Sequence, residues 1–167
     1  MKRTSVAHMH CSIAQSLEIL GEWWTLLVLR DIFYGARRFE ALQADLGISR
    51  NILTDRLKTL VAHDILERRR YQDSPPRHEY RLTDRGAELV AVLLDLMQWG
   101  DRWLLGGPDS APAVAKHKTC GHAVHSELRC AECGEVPATE VRIRPGPGAR
   151  RPAARPEVST PRRQRPT

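Results

Sequence analysis

Apolar positions recur along this chain at helical spacing in five stretches, with a short alternating stretch between the fourth and the fifth. The first runs Ser12 to Leu20, with Ile13, Leu17 and Leu20 on one face, and Ser12 with Gln15 fits a capping box. Residues 1–10 carry no such pattern and are expected to be mobile. Gly21 ends the first helix, and a more apolar one follows from Trp23 to Tyr34, with Trp24, Leu27, Val28 and Ile32 inward and Gly35 closing it. Phe39, Leu42 and Leu46 make the stripe of a third helix, which Gly47-Ile48 breaks. Ser49 suits the N-cap of a fourth, buried through Leu53, Leu57, Leu60 and Val61. Ile65 to Tyr71 and Arg77 to Leu82 read as paired strands around the tip Asp73-Ser74-Pro75-Pro76. Thr83 then caps a long helix from Asp84 to Leu105. The expected architecture is mainly α with a small β wing, two helices around a tight turn followed by a hairpin.

That order is a winged helix-turn-helix, and it points to double-stranded DNA. The polar side of the fourth helix carries Arg50, Asn51, Thr54, Asp55 and Lys58, next to Ser49 and Arg56. Asparagine matches adenine, arginine and lysine match guanine or phosphate, and threonine offers a hydroxyl or a methyl. Asp55 fits less easily, since a carboxylate repels phosphate; it accepts from a cytosine amino group or orients Arg50 or Arg56. Arg37 and Arg38, at the mouth of the motif, suit phosphate clamping or are ordinary solvated residues. Of Arg68, Arg69 and Arg70, alternation sends neighbours to opposite faces, so all three cannot meet DNA. Arg69, and Arg77 beside the diproline tip, complete the candidate set, with Arg77 reaching the minor groove.

Several of these runs resemble the HxlR family of bacterial transcriptional regulators. They are Leu20-Gly21-Glu22-Trp23-Trp24-Thr25-Leu26-Leu27, Arg38-Phe39, Gly47-Ile48-Ser49, Leu53-Thr54-Asp55-Arg56-Leu57 and Pro75 through Thr83. The resemblance covers about residues 11–105 and lies in their ordered combination. It implies a homodimeric repressor or activator on a palindromic operator, with room for a small-molecule inducer that these residues do not identify. A cytoplasmic protein is expected separately, since no apolar run for a signal peptide follows Met1-Lys2-Arg3-Thr4-Ser5 and the clustered cysteines suit a reducing compartment. Some members of that family sense oxidants through a cysteine just ahead of the first helix, which makes Cys11 a redox candidate. The alternative is an inert thiol buried at a subunit interface.

Charge sharpens the picture only locally. The net charge is +6, but residues 142–167 hold eight Arg and one Glu, so the remainder is close to neutral. Within residues 49–81, eight Lys/Arg face five Asp/Glu, and that local excess is the one suited to phosphate. The last helix carries apolar residues on more than one face, from Leu89 through Trp103. One small domain cannot cover them all, which argues for a second copy of the chain or for the chain's own C-terminal segment. Trp23 and Trp24 read as core rather than as a ligand cage. The stretch Leu89 to Met97 is too short to span a membrane and contains Asp95.

Residues 106–115 form a Gly/Pro linker. Beyond it, His117-Lys-Thr-Cys120-Gly121 and Cys130-Ala-Glu-Cys133-Gly134 repeat one ligand-x-x-Cys-Gly pattern. Three thiols and an imidazole at this spacing suit a closed tetrahedral zinc site, structural rather than catalytic. His122 and His125 are alternatives to His117 as fourth ligand. A metal-free hairpin and a Cys130/Cys133 thiol–disulfide pair also fit. The nine residues between Cys120 and Cys130 are enough for a small hairpin, so residues 116–141 are expected to be a zinc-ribbon-like segment. Residues 142–167, rich in Arg and Pro, are expected to be a disordered tail. No HExxH, P-loop or Rossmann fingerprint occurs, so nothing points to an enzyme. A protein-binding module built on the ribbon is the remaining rival to a DNA-binding regulator.

Overall fold

The computed structural model describes residues 4–149. Helices α1 (Ser12–Leu20), α2 (Trp23–Tyr34), α3 (Phe39–Leu46) and α4 (Arg50–Ala62) lead into strands β1 (Leu66–Gln72) and β2 (Arg77–Leu82). Helices α5 (Asp84–Ala87) and α6 (Leu89–Trp103) follow. One core holds the motif together: Val28, Leu29 and Ile32 of α2 meet Leu42 of α3, Leu53, Leu57 and Leu60 of α4, and Leu66 of β1. Each such side chain contributes roughly 1.5–3 kcal/mol on burial, so this cluster dominates the stability of the domain. Trp23 is the departure, since it is 90% exposed while Trp24 packs against the core. Its position at the start of α2, one residue from Trp24, puts it about 100° around the helix from the inward face.

The turn between α3 and α4 works as its residues dictate. Gly47 is left-handed at φ +63°, and Ile48 turns back into the core. The Ser49 hydroxyl accepts from the Ile52 backbone N–H at 3.3 Å. At the other end of α4, Thr83 accepts from Gly86 N–H at 3.0 Å and donates to the Asp64 carbonyl at 2.7 Å. A Cβ on Gly86 would collide with the Ile65 carbonyl, so only glycine lets α5 sit this close. The helix expected as one piece over 84–105 is divided into α5 and α6 at Glu88, which itself keeps right-handed helical dihedrals at φ −61° and ψ −26°.

The wing is an antiparallel hairpin in the register Leu66↔Leu82, Arg68↔Tyr80 and Arg70↔His78, with an irregularity between Arg70 and Gln72. Arg38 adds an antiparallel bridge to Glu79, and Tyr80 N–H donates to the Arg37 carbonyl at 2.8 Å, tying the wing to the start of α3.

Three expectations at the ends of the chain change. Ser12 lies inside α1 and Cys11 takes the cap position without a side-chain cap bond; Gln15 reaches back to the carbonyls of Ala7 and Met9 instead. Residues 5–9 are thereby fastened to α1, with Val6 N–H also donating to Glu18. The ribbon segment has its hairpins at the two knuckles, not between them: Lys116 bridges Ala123, and β3 (Arg129–Cys130) pairs β4 (Gly134–Glu135). Of the expected tail, residues 142–149 are exposed and irregular, and the rest lies outside the described residues. Among the described residues no helix is long and apolar enough to cross a membrane.

Candidate nucleic-acid interface

Helix α4 buries Leu53, Leu57 and Leu60, so its other side must face outward. Ser49, Arg50, Asn51, Asp55 and Lys58 are exposed there, with Thr54 half-buried. Between the first turn of α4 and the wing lies an open groove of about 490 Å³, lined by Arg38, Arg50, Arg68 and Arg77 against one carboxylate, Glu40. Two of these arginines are steadied by aromatic rings: the guanidinium of Arg50 stacks on Phe39 and that of Arg38 on Tyr71, both at 4.7 Å. Stacking fixes each charge while leaving its N–H edge for hydrogen bonding, and is worth about 0.5–1 kcal/mol at an exposed site. A second groove of about 510 Å³ continues from Arg68 past Thr54 and Lys58. Together they make a positively charged surface along the polar face of α4, suited to phosphate on its walls and base edges at its centre.

Three candidates stand elsewhere. Arg56 turns toward the start of α2 and pairs with Glu22 at 3.4 Å; its Nε is buried with no acceptor. Arg37 and Arg38, neighbours ahead of α3, line different surfaces. Arg38 lines the groove, and Arg37 lies on the far side near Arg81 and Lys118. Arg69 sits on the outer face of the wing, 3.9 Å from Glu67. The groove takes Arg68 instead, directly across the hairpin from Tyr80. Tyr80 and Leu82, two residues apart on β2, pack against the core, so the residue paired with Tyr80 shares that inner face.

His78 also belongs to this surface and was not anticipated. Its Nδ1 is 3.1 Å from Arg68 Nη2. Desolvation against the strand, then the charges of Arg68 and Arg70, hold it below the usual histidine range. Arg70 itself is engaged at the wing tip, 3.1 Å from Asp73 Oδ1.

Outside the groove, Cys11 is exposed at the start of α1. Val92, Leu96, Trp99 and Trp103 follow one another along α6 at helical spacing, each at least half exposed. In the C-terminal segment, His117 Nδ1 is 3.1 Å from Cys120 Sγ. The Cys130 thiol is drawn below its ordinary range by the backbone N–H groups of Cys133 and Glu132 and by the Cys133 side chain. These are two pairs, and among the described residues no three His, Cys, Asp or Glu side chains gather around one point.

A family model for HxlR-like helix-turn-helix proteins matches residues 19–106. The Mycobacterium tuberculosis protein Rv3095, described as an uncharacterized HTH-type transcriptional regulator, is 46% identical over 138 residues. That match covers 82% of this chain and 87% of that protein. It is longer than the 106 residues up to the end of the family match, so it runs into the C-terminal segment. The crystal structure of PA1607 superposes with a TM-score of 0.73 at 32% identity, covering 84% of this chain and 99% of that one. The oxidized form of HypR, described as a redox regulator, superposes at 0.51 with 30% identity over 54% of this chain and 94% of its own.

Proposed function

Since this chain belongs to the HxlR family of DNA-binding transcriptional regulators, we propose that it reads a palindromic operator as a homodimer, through α4 and the groove beside the wing. The observation that carries the DNA contact is the convergence of Arg38, Arg50, Arg68 and Arg77 on one groove at the exposed start of α4. Arginines on the walls neutralise phosphates, and Asn51, Thr54 and Lys58 reach base edges in the major groove. Selection from random duplexes by the purified chain tests this: a defined motif should emerge, and no enrichment over bulk DNA would refute it.

The homodimer rests on α6. Leu93 and Leu94 face the chain's own helices, whereas Val92, Leu96, Trp99 and Trp103 form a second stripe turned to solvent, with Ile13 of α1 72% exposed. A second copy that covers this stripe would set two α4 helices on half-sites about 34 Å apart, or a multiple of that. Leu96→Lys should give monomers that keep their helical content; a monomeric wild type by light scattering at micromolar concentration would sink the dimer. A redox input through Cys11 is a second reading, supported by the exposure of that thiol beside α1 and by the likeness to HypR. Diamide should then weaken operator binding by the wild type but not by Cys11→Ser, and equal sensitivity of both would remove Cys11 from regulation.

A further inference from the structure

We propose that His117, Cys120, Cys130 and Cys133 hold one structural zinc ion, which takes the place of a hydrophobic core in residues 116–141. The need for such a substitute is visible in the burial. From 111 to 149 no residue is buried, and Val114, Leu128, Val141 and Ile143 are about half or more exposed. The strands there are two residues long. Ordering a backbone costs about 1–2 kcal/mol per residue, and a segment with nothing buried has no apolar term to offset it. Units this small are held by metals or disulfides when they lack a core.

The backbone is nevertheless regular, and in the same way twice. The Lys116–Ala123 bridge encloses His117-x-x-Cys120-Gly121, and the Arg129–Glu135 pair encloses Cys130-x-x-Cys133-Gly134. Each turn closes on a left-handed glycine, Gly121 at φ +73° and Gly134 at φ +84°. In the first, Gly121 N–H donates to the His117 carbonyl and His117 N–H to the His122 carbonyl, both at 2.8 Å. That closure leaves the His117 imidazole 3.1 Å from Cys120 Sγ. In the second, Cys130 pairs directly with Gly134 across the antiparallel strands, with Cys133 in the turn between them.

The two half-sites are joined by residues 124–128, and one side chain of α6 holds that connection. Gln98 Nε2 donates to the Val124 carbonyl, and Gln98 Oε1 accepts from Ser126 N–H, both at 3.3 Å. His125 lies inside this clamped stretch, whereas His117 already contacts a ligand sulfur, which favours it as the fourth ligand. The pairs stand apart, so the ion itself closes the site, at about 2.3 Å to sulfur and 2.0–2.1 Å to nitrogen. Binding displaces the three thiol protons to solvent and involves no change of oxidation state.

The full-length chain, purified in reductant without chelator, should contain one zinc per chain. Titration of the stripped protein with cobalt(II) should give the intense d–d bands of a tetrahedral ion and thiolate charge-transfer absorption. Cys120→Ser, Cys130→Ser, Cys133→Ser and His117→Ala should each lose the ion, while His122→Ala and His125→Ala retain it. Chelation should speed amide exchange in residues 116–141 and leave α2 to α4 unchanged. Zinc far below one per chain together with a cobalt spectrum lacking thiolate bands overturns the site, and that reading needs no variant to fold. A Cys130–Cys133 disulfide persisting in reductant overturns it too. Retention of the ion by His117→Ala overturns the assignment of that ligand.

Discussion

Arg50, the first residue of α4, lies with its guanidinium 4.7 Å from the ring centre of Phe39, the first residue of α3. The two helices of the motif are thus tied at the end proposed to meet DNA. Phe39→Leu keeps most of the apolar bulk that packs against the core and removes the stacking. Operator affinity should fall about two- to fivefold, the equivalent of the 0.5–1 kcal/mol expected of such a contact. Titration of labelled operator checks this, alongside a melting curve that should fall by only a few degrees, because the same contact also holds the free protein.

Asn51 is exposed one residue further along α4, and in the proposed reading its amide pairs with adenine. Asn51→Ala should relax preference at one position per half-site, at a cost of about 1–3 kcal/mol on the preferred sequence. An unchanged profile across a randomised operator would remove Asn51 from base readout.

Arg68 and Arg69 make a matched pair on opposite faces of one strand. Arg68→Ala should weaken all sites alike and reduce the slope of log K against log salt by about 0.9 for a lost phosphate contact. Arg69→Ala, on the Glu67 side of the wing, should leave that slope in place. The opposite result would mean that DNA meets the outer face of the hairpin.

His78 gives the interface a pH dependence. Its pKa lies below the ordinary 6.5 in the protein alone, because desolvation and the charges of Arg68 and Arg70 disfavour the imidazolium. The unfolded chain therefore binds the proton more readily. Stability is present above pH 6.5, and part of it is lost as pH falls through the folded pKa. Phosphate in the groove offsets the arginines and favours protonation, so DNA binding should take up a proton as pH drops below 6.5. Affinity should rise over that window in the wild type and rise less in His78→Gln, read by operator titration at constant salt.

Gly86 tests the seam between the wing and the last helices. A methyl there meets the Ile65 carbonyl, a backbone group with little freedom to move. Gly86→Ala should cost about 1–3 kcal/mol, as overpacking does. Urea denaturation should show the loss, and the gain that alanine usually brings to a helix should be absent.

Much of this protein is determined locally and was readable as such. The periodicity of Leu53, Leu57 and Leu60 placed α4. Gly47, Ser49 and Thr83 marked boundaries through their own dihedral preference or cap bond. The wing followed from its alternation and turn residues, within a residue of its observed start at Leu66. Tertiary structure decided which arginines face the groove. Arg56 is as basic as Arg50, but its position around α4 carries it to Glu22. Arg37 and Arg38 are chemically the same, and only the bridge to Glu79 fixes which of them turns toward the wing. Arg68 displaces Arg69 because the hairpin register puts it opposite Tyr80. Charge is written in a residue's identity, whereas the direction in which the charge points is set by partners distant in the chain.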